Sequence, residues 1–377
     1  MRPPTDPYLA VTHPDPYPFY AGLRARGGLH RIEGFDPWIA ADGATVRAVL
    51  TSEHCRVRPL AEPIPPHLGG TAAGALFGRL VRMNDGGPFP TVKRALASSL
   101  EEMMSALEAE SRRWSARLFA EPSIALLPTR ALQLPVFVLG TLLGLPEDGL
   151  DACVQDVEAY VRSVVHSQAV SEGAASAARL TGRVEDCAQA RPALLSRFSA
   201  RMQEGGAPAE LRTPNAVGLL TQAYEATAGL LGASLLAIAR MPSLRTQLAR
   251  RECTMEDVVR EAARHESPVQ NTRRFVHSRV SVAGQELEAG ATVVVVLAAA
   301  NRDPQENPRP DDFLPRRVDR RTFTFGLGTH ACPGQRLAET MAVAAAEQVL
   351  ASGLDLSPLS GPVTWRASTN TRILRGP

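Results

Sequence analysis

A single cysteine sits in a loop suited to presenting it. Residues 325–334 read Phe325-Gly326-Leu327-Gly328-Thr329-His330-Ala331-Cys332-Pro333-Gly334, and the apolar-periodic stretch 335–350 that follows reads as a helix. Gly328 and Gly334 carry no Cβ, so the backbone tolerates positive φ and close approach, and its amide N–H groups can turn toward the sulfur. The positive end of the following helix favours the thiolate, while Phe325 can shield it from water. A thiolate held this way can ligate iron. Two other chemistries fit less well. A structural zinc site needs about four ligands, often in close pairs, whereas Cys55, Cys153, Cys187 and Cys253 are scattered singly. A Cys–His nucleophile would have only His330, in the same tight loop, with no third group to orient it.

The pattern F-x-x-G-x-H-x-C-x-G resembles the haem-binding loop of the cytochrome P450 superfamily, in its soluble bacterial form. That resemblance implies haem b as cofactor, Cys332 as axial ligand to its iron, Phe325 against the proximal face, Gly328 and Gly334 in the turn, and His330 on a propionate. It also implies a fold that is mainly α with a minor β-sheet. One P450-like domain would span residues 1–377, with haem buried between a long central helix and the cysteine loop.

Other constellations extend the resemblance. Glu261-Ala262-Ala263-Arg264 places an acid and a base on one helix face, like the family's E-x-x-R pair, which meets an arginine further on; Arg317 is the best candidate and Arg316 the next. This triad is expected to support the loop and to take no part in catalysis. Within Pro268-Val269-Gln270-Asn271-Thr272-Arg273-Arg274, the resemblance assigns Val269 to the substrate and Arg274 to a propionate, leaving Arg273 solvated. Arginine suits a carboxylate because its planar fork pairs bidentately and stays charged.

Two departures stand out. Gln222-Ala223-Tyr224-Glu225-Ala226-Thr227 occupies the place of the family's small-Gly-x-acid-Thr-Thr, whose acid and first threonine deliver protons during dioxygen activation. Glu225 is then the acid, Ala223 replaces the glycine beside the substrate, and Ala226 replaces the alcohol. A methyl group neither donates a proton nor organises water. The missing hydroxyl would come from the substrate or an ordered water, or from Thr227 after a local helical adjustment, or the reaction depends less on the relay. In the second departure, Phe89 stands where the family often has a propionate histidine and Lys93 where it has arginine. Lys93 can still neutralise a propionate, as a point charge instead of a fork. Arg94 reads as a surface charge.

Hydrophobic residues at 44% and charged residues at 21% mark an ordinary globular chain, and a net charge of +2 argues against nucleic-acid or membrane partners. Five scattered cysteines suit a reducing cytoplasm. The proline-rich N-terminus shows neither signal peptide nor membrane span, so a soluble protein is expected. No flavin, nicotinamide or iron–sulfur fingerprint is present; with the resemblance, this implies electrons from a separate ferredoxin and reductase, dioxygen, and a small organic substrate that is oxidised, principally hydroxylated. Oxidative coupling, desaturation, a peroxide-driven reaction or a catalytically degenerate haem protein are the alternatives.

The elements that must position these residues follow from periodicity. Helices are expected over 18–26, 44–50, 91–118, 132–143, 150–167, 174–202 and 215–240, the last a core-crossing helix ended by Met241-Pro242. Strands are expected over 29–32 and 38–41, around Val280, Val282 and Leu287, and over 292–297. Residues 58–74, rich in proline and glycine, read as an irregular loop; the resembled fold uses it to cover the substrate pocket. Residues 161–177 and Ser368-Thr369-Asn370 are further pocket candidates.

Overall fold

The computed structural model describes residues 3–59, 61–190 and 192–377. Its centre is the helix Arg212–Arg240, 29 residues long and buried on nearly every side. A helix apolar all round has no solvent face and must run through the core. Around it pack the helices Leu127–Leu142, Met255–His265 and Gln335–Ala351. Pro242 cannot continue the helix, and the next one, Pro242–Ala249, leaves at 97°. Among the described residues no single helix is long and apolar enough to cross a membrane.

Beside the helices lies a five-stranded sheet in the order β1-β2-β7-β4-β3. Its strands are β1 His30–Ile32, β2 Phe35–Ala40, β3 Cys55–Arg56, β4 Thr272–Val276 and β7 Thr292–Val295. The unbroken valine run of β7 occupies the sheet's middle, parallel to β2 and antiparallel to β4, where both faces are covered and alternation is not needed. Two hairpins complete the β-structure, β5 Val280–Val282 with β6 Gln285–Leu287 and β8 Thr364–Trp365 with β9 Leu374–Gly376.

Four expectations are corrected. Residues 91–118 are two helices, Phe89–Glu102 and Met104–Leu118, broken at Met103. No glycine or proline marks that break; the first helix packs on Ala193–Glu204 and the second on Gln335–Ala351, so tertiary packing sets it. The stretch 174–202 is likewise two helices, Val170–Gln189 and Ala193–Glu204, the second opened by Pro192. The loop 58–74 contains a 3₁₀ turn, Pro66–Leu68, and runs into the helix Ala72–Phe77, capped by the Thr71 hydroxyl, which accepts from the Gly74 N–H at 3.1 Å; Leu60 lies outside the described residues. The run 292–297 ends as a strand at Val295, and Leu297–Asn301 is helical.

Candidate active site

The cysteine loop is fixed before it reaches the cysteine. Asn301 accepts from the Phe323 N–H at 2.6 Å and donates to the Thr324 hydroxyl at 2.8 Å, and Thr324 donates to the carbonyl of Ala263 at 2.6 Å. Gly326 and Gly328 then take φ of +67° and +65°, which residues with a Cβ rarely adopt. Gly334 is different: its φ is −100°, and a Cβ there would meet the Cys332 sulfur at 3.9 Å, an ordinary van der Waals contact. The expectation of positive φ at Gly334 is therefore corrected, close approach does not require glycine there either, and Gly326, not singled out from sequence, is the second turn glycine. The Cys332 N–H donates to the Phe325 carbonyl at 2.8 Å, closing the loop just before Gln335–Ala351 begins.

Cys332 is the exposed cysteine of the five. Protein nonetheless surrounds it: burial pushes its thiol up, opposed by the Gly334 N–H directed at the sulfur and by the charges of Arg82 and Lys93. Accessible surface together with a desolvated environment describes a thiol opening onto an internal recess. The other four cysteines are buried, and burial raises each thiol, Cys153 to about 12; such thiols are inert.

In the middle of the central helix, Leu219, Gln222, Ala223 and Ala226, with Glu225 beside them, keep accessible surface. Their spacing places them on one face, so Ala226 presents its methyl where the sequence resemblance expects an alcohol. Thr227, four positions on from Ala223, lies along the edge of that face; it is 1% exposed, its hydroxyl has no partner among the described residues, and the helix continues unbroken through it. Glu225 is half-buried, and burial raises its carboxyl above the usual range, against the pull of Arg366 and Arg82. Arg366 also donates to Glu158 at 2.6 Å, so Glu225 shares a polar cluster that the sequence did not disclose.

Three cations, of which Arg82 and Lys93 act on Cys332 and Arg274 feels the charge of Arg82, have no carboxylate in ion-pairing distance among the described residues. Arg274 is 5% exposed and donates only to the carbonyl of Arg273 and the hydroxyl of Thr272; burial lowers it to about 10. Its place follows from β4, whose alternation turns Arg273 out and Arg274 in. Lys93 donates to the Thr329 carbonyl, and burial lowers it too. Arg82 lies on the short turn Val81–Met83, and burial lowers it while Cys332, Tyr160 and Glu225 act on it electrostatically. His330 pairs with Asp85 at 2.8 Å. Phe89 packs on the core and Arg94 is exposed beside Thr91. Buried unpaired cations are costly, and a ligand bearing carboxylates relieves them. A sulfur donor facing a recess edged by unpaired cations thus fits an iron porphyrin with two propionates. Arg274→Leu is expected to shed haem at least about tenfold faster, by transfer to an acceptor globin, while the haem-free chain loses no stability in denaturant titration.

Behind the loop, Glu261 and Arg264 are both fully buried. Glu261 accepts from Arg264 at 2.6 Å, Arg317 at 3.1 Å and Arg320 at 2.8 Å, and from the Leu314 N–H at 3.1 Å. Arg317 stands where expected; Arg316 is exposed, and Arg320, unforeseen, is the further partner. Arg264 also donates to the carbonyls of Pro310 and Asp312. Val269 keeps some accessible surface and bridges to Thr371, which brings Asn370 alongside, its carbonyl accepting from the Gln270 N–H at 2.7 Å.

Comparison with known proteins gives this arrangement a family. The Cytochrome P450 family model matches residues 253–352, which include Glu261, Arg264 and the whole cysteine loop. The chain is 29% identical over 394 residues to the cytochrome P450 monooxygenase PikC of Streptomyces venezuelae, covering 96% of this chain and 90% of that protein. It is 25% identical over 397 residues to a beta-dihydromenaquinone-9 omega-hydroxylase of Mycobacterium bovis, covering 98% and 76%. The solved structure of epothilone B-bound cytochrome P450epoK matches in fold with a TM-score of 0.85 at 17% identity, covering 100% of this chain and 98% of that one. The chain belongs to the cytochrome P450 superfamily, bacterial type, and is a P450 monooxygenase, an oxidoreductase.

Proposed function

We propose that the chain holds haem b through Cys332 and oxidises, principally by hydroxylation, a small organic molecule, using dioxygen and electrons from a separate ferredoxin and its reductase in the cytoplasm. The observation that carries this reading is the exposed sulfur of Cys332 in a recess edged by unpaired cations. When bound, haem supplies the redox centre that accepts electrons singly and activates dioxygen. The residues of the chain do the rest. The Gly334 N–H steadies the sulfur, Phe325 screens it, and Arg274, Lys93 and His330 receive the propionates. Glu261, Arg264 and Arg317 keep the loop in place from behind.

Glu225 is the proton carrier in this reading. Burial keeps its proton on to a higher pH than an ordinary carboxyl retains it, and a raised carboxyl is suited to general acid work. Ala226 offers no donor, so the hydroxyl that passes the proton on comes from the substrate or from an ordered water in the space left by Ala223 and Ala226. Wild-type turnover should therefore fall as pH rises through the raised carboxyl pKa, where the acid form is lost. Glu225→Gln, which keeps the shape and removes the acidic proton, should lower kcat about a hundredfold and flatten that profile. An unchanged rate and profile would remove Glu225 from the relay.

The methyl of Ala226 on the open face favours one second reading, an oxidative coupling or desaturation, or a reaction driven by peroxide. Turnover under isotopically labelled dioxygen separates the two. Label in the product supports insertion from dioxygen; a label-free product without added oxygen supports coupling or desaturation, and a label-free oxygenated product supports the peroxide-driven reaction.

A further inference from the structure

Arg82 has no counterpart in the resemblance, and of the three unpaired cations it is the one the proposed function assigns to no propionate. It stands in an apolar run, Leu80-Val81-Arg82-Met83, where a charge is out of place. The run is pinned at both ends. The Val81 N–H donates to the Asn215 side chain at 2.7 Å, and Asn215, on the central helix, donates back to the Arg79 carbonyl at 3.0 Å. Three residues beyond Arg82, Asp85 accepts from the Val57 N–H at 3.1 Å and pairs with His330 of the cysteine loop at 2.8 Å. The segment thus spans from the central helix to the cysteine loop, with Arg82 between its anchors. Cys332, Tyr160 and Glu225 all act on it electrostatically. Its guanidinium keeps accessible surface and makes no hydrogen bond or ion pair among the described residues. Tyr160, on the helix Leu150–Val165, buries its hydroxyl without any hydrogen-bond partner.

We infer that Arg82 is the receptor for a carboxylate carried by the substrate, so that this chain oxidises organic acids in preference to neutral molecules. The planar fork of Arg82 offers two parallel N–H donors, the geometry a carboxylate accepts bidentately, and the orphaned Tyr160 hydroxyl supplies a third donor to the same group. A haem propionate carries the same chemistry. The proposed function assigns Arg274, Lys93 and His330 to that purpose and leaves Arg82, on a segment tied to the central helix through Asn215, for the substrate. The inference rests on the chain being a haem-thiolate monooxygenase, and its test reads that premise separately.

The test uses the haem-loaded protein and ω-imidazolyl alkanoic acids of graded chain length, each beside its methyl ester. The azole nitrogen binds iron and shifts the Soret band whatever the natural substrate is, so the tail alone reports on Arg82. At the best length the acid should bind about tenfold to a hundredfold more tightly than its ester. That ratio should fall to about one in Arg82→Gln, survive in part in Arg82→Lys, and drop by a smaller factor in Tyr160→Phe. Equal binding of acid and ester to the wild type at every length overturns the inference. So does an Arg82→Gln protein that loses haem faster to an acceptor globin yet keeps the acid preference, because Arg82 then serves a propionate. A chain that takes up no haem, or shows no Soret shift with any azole, brings down the premise and the inference with it.

Discussion

Serine at position 332 is expected to abolish the absorbance that carbon monoxide gives with reduced, thiolate-ligated haem, and to cut turnover by roughly three orders of magnitude or more. The sulfur is the donor among the described residues that the loop is shaped to present: two left-handed glycines turn the chain, the Cys332 N–H closes onto Phe325, and the Gly334 N–H points at the thiol. Serine matches the shape but is a far weaker electron donor, and the electron density that a thiolate lends to iron is what favours O–O cleavage. Structure should survive the exchange. Cys332 is exposed to the recess and packs against nothing that a hydroxyl would disturb, so the haem-free Cys332→Ser chain should unfold within about 1 kcal/mol of wild type. Cys253→Ser is the matching control, a buried thiol remote from the loop that should leave the spectrum unaltered. A thiolate-type spectrum that persists in Cys332→Ser would remove the loop from the site and the proposed function with it.

How much of this could be read in the residues depended on how local the cause was. The cysteine loop was legible because every part of its logic lies within ten positions, and the central helix because it is apolar all round over its whole length. Strand β4 was not, since the Arg273-Arg274 pair masks the strand-forming Thr272, Phe275 and Val276, and its pairing with β7 and β3 decides the matter. The break at Met103 was invisible for the same reason: the two halves are helical by themselves and differ only in what they pack on. Site residues divide likewise. Arg317 was legible because a motif pointed to it, and Arg320 was missed because its reach to Glu261 depends on how the meander folds back. Arg82 and the Glu225–Arg366 cluster come from segments far apart in sequence, and their only local signal was a charge among apolar neighbours.

The buried network around Glu261 should respond more strongly to substitution than any exposed ion pair in the chain. Glu261 is fully buried and faces three guanidinium groups, from Arg264, Arg317 and Arg320, with Arg264 itself wholly enclosed. Burial by itself would raise the Glu261 carboxyl; the hydrogen bond and charge of Arg264, the Leu314 N–H and the charge of Arg317 outweigh it and hold the group below the usual carboxylate range. Glu261→Gln keeps the volume but removes the charge, leaving the cations uncompensated in a dry site, and should cost about 3–5 kcal/mol in urea unfolding. Haem retention should fall in step, because Ala263, on the same turn, is the acceptor for Thr324 at the base of the cysteine loop. Arg316→Ala, at an exposed position, should stay within about 0.5 kcal/mol. The pH dependence has a definite sign. A depressed carboxyl contributes stability above its unfolded pKa, which is lost as pH falls through the folded value, so wild type should weaken in acid by an amount the Gln variant does not show. If Glu261→Gln unfolds at the wild-type urea concentration, with the same acid limb, the network carries no net stability, and the cysteine loop must be held by Asn301 and Thr324 alone.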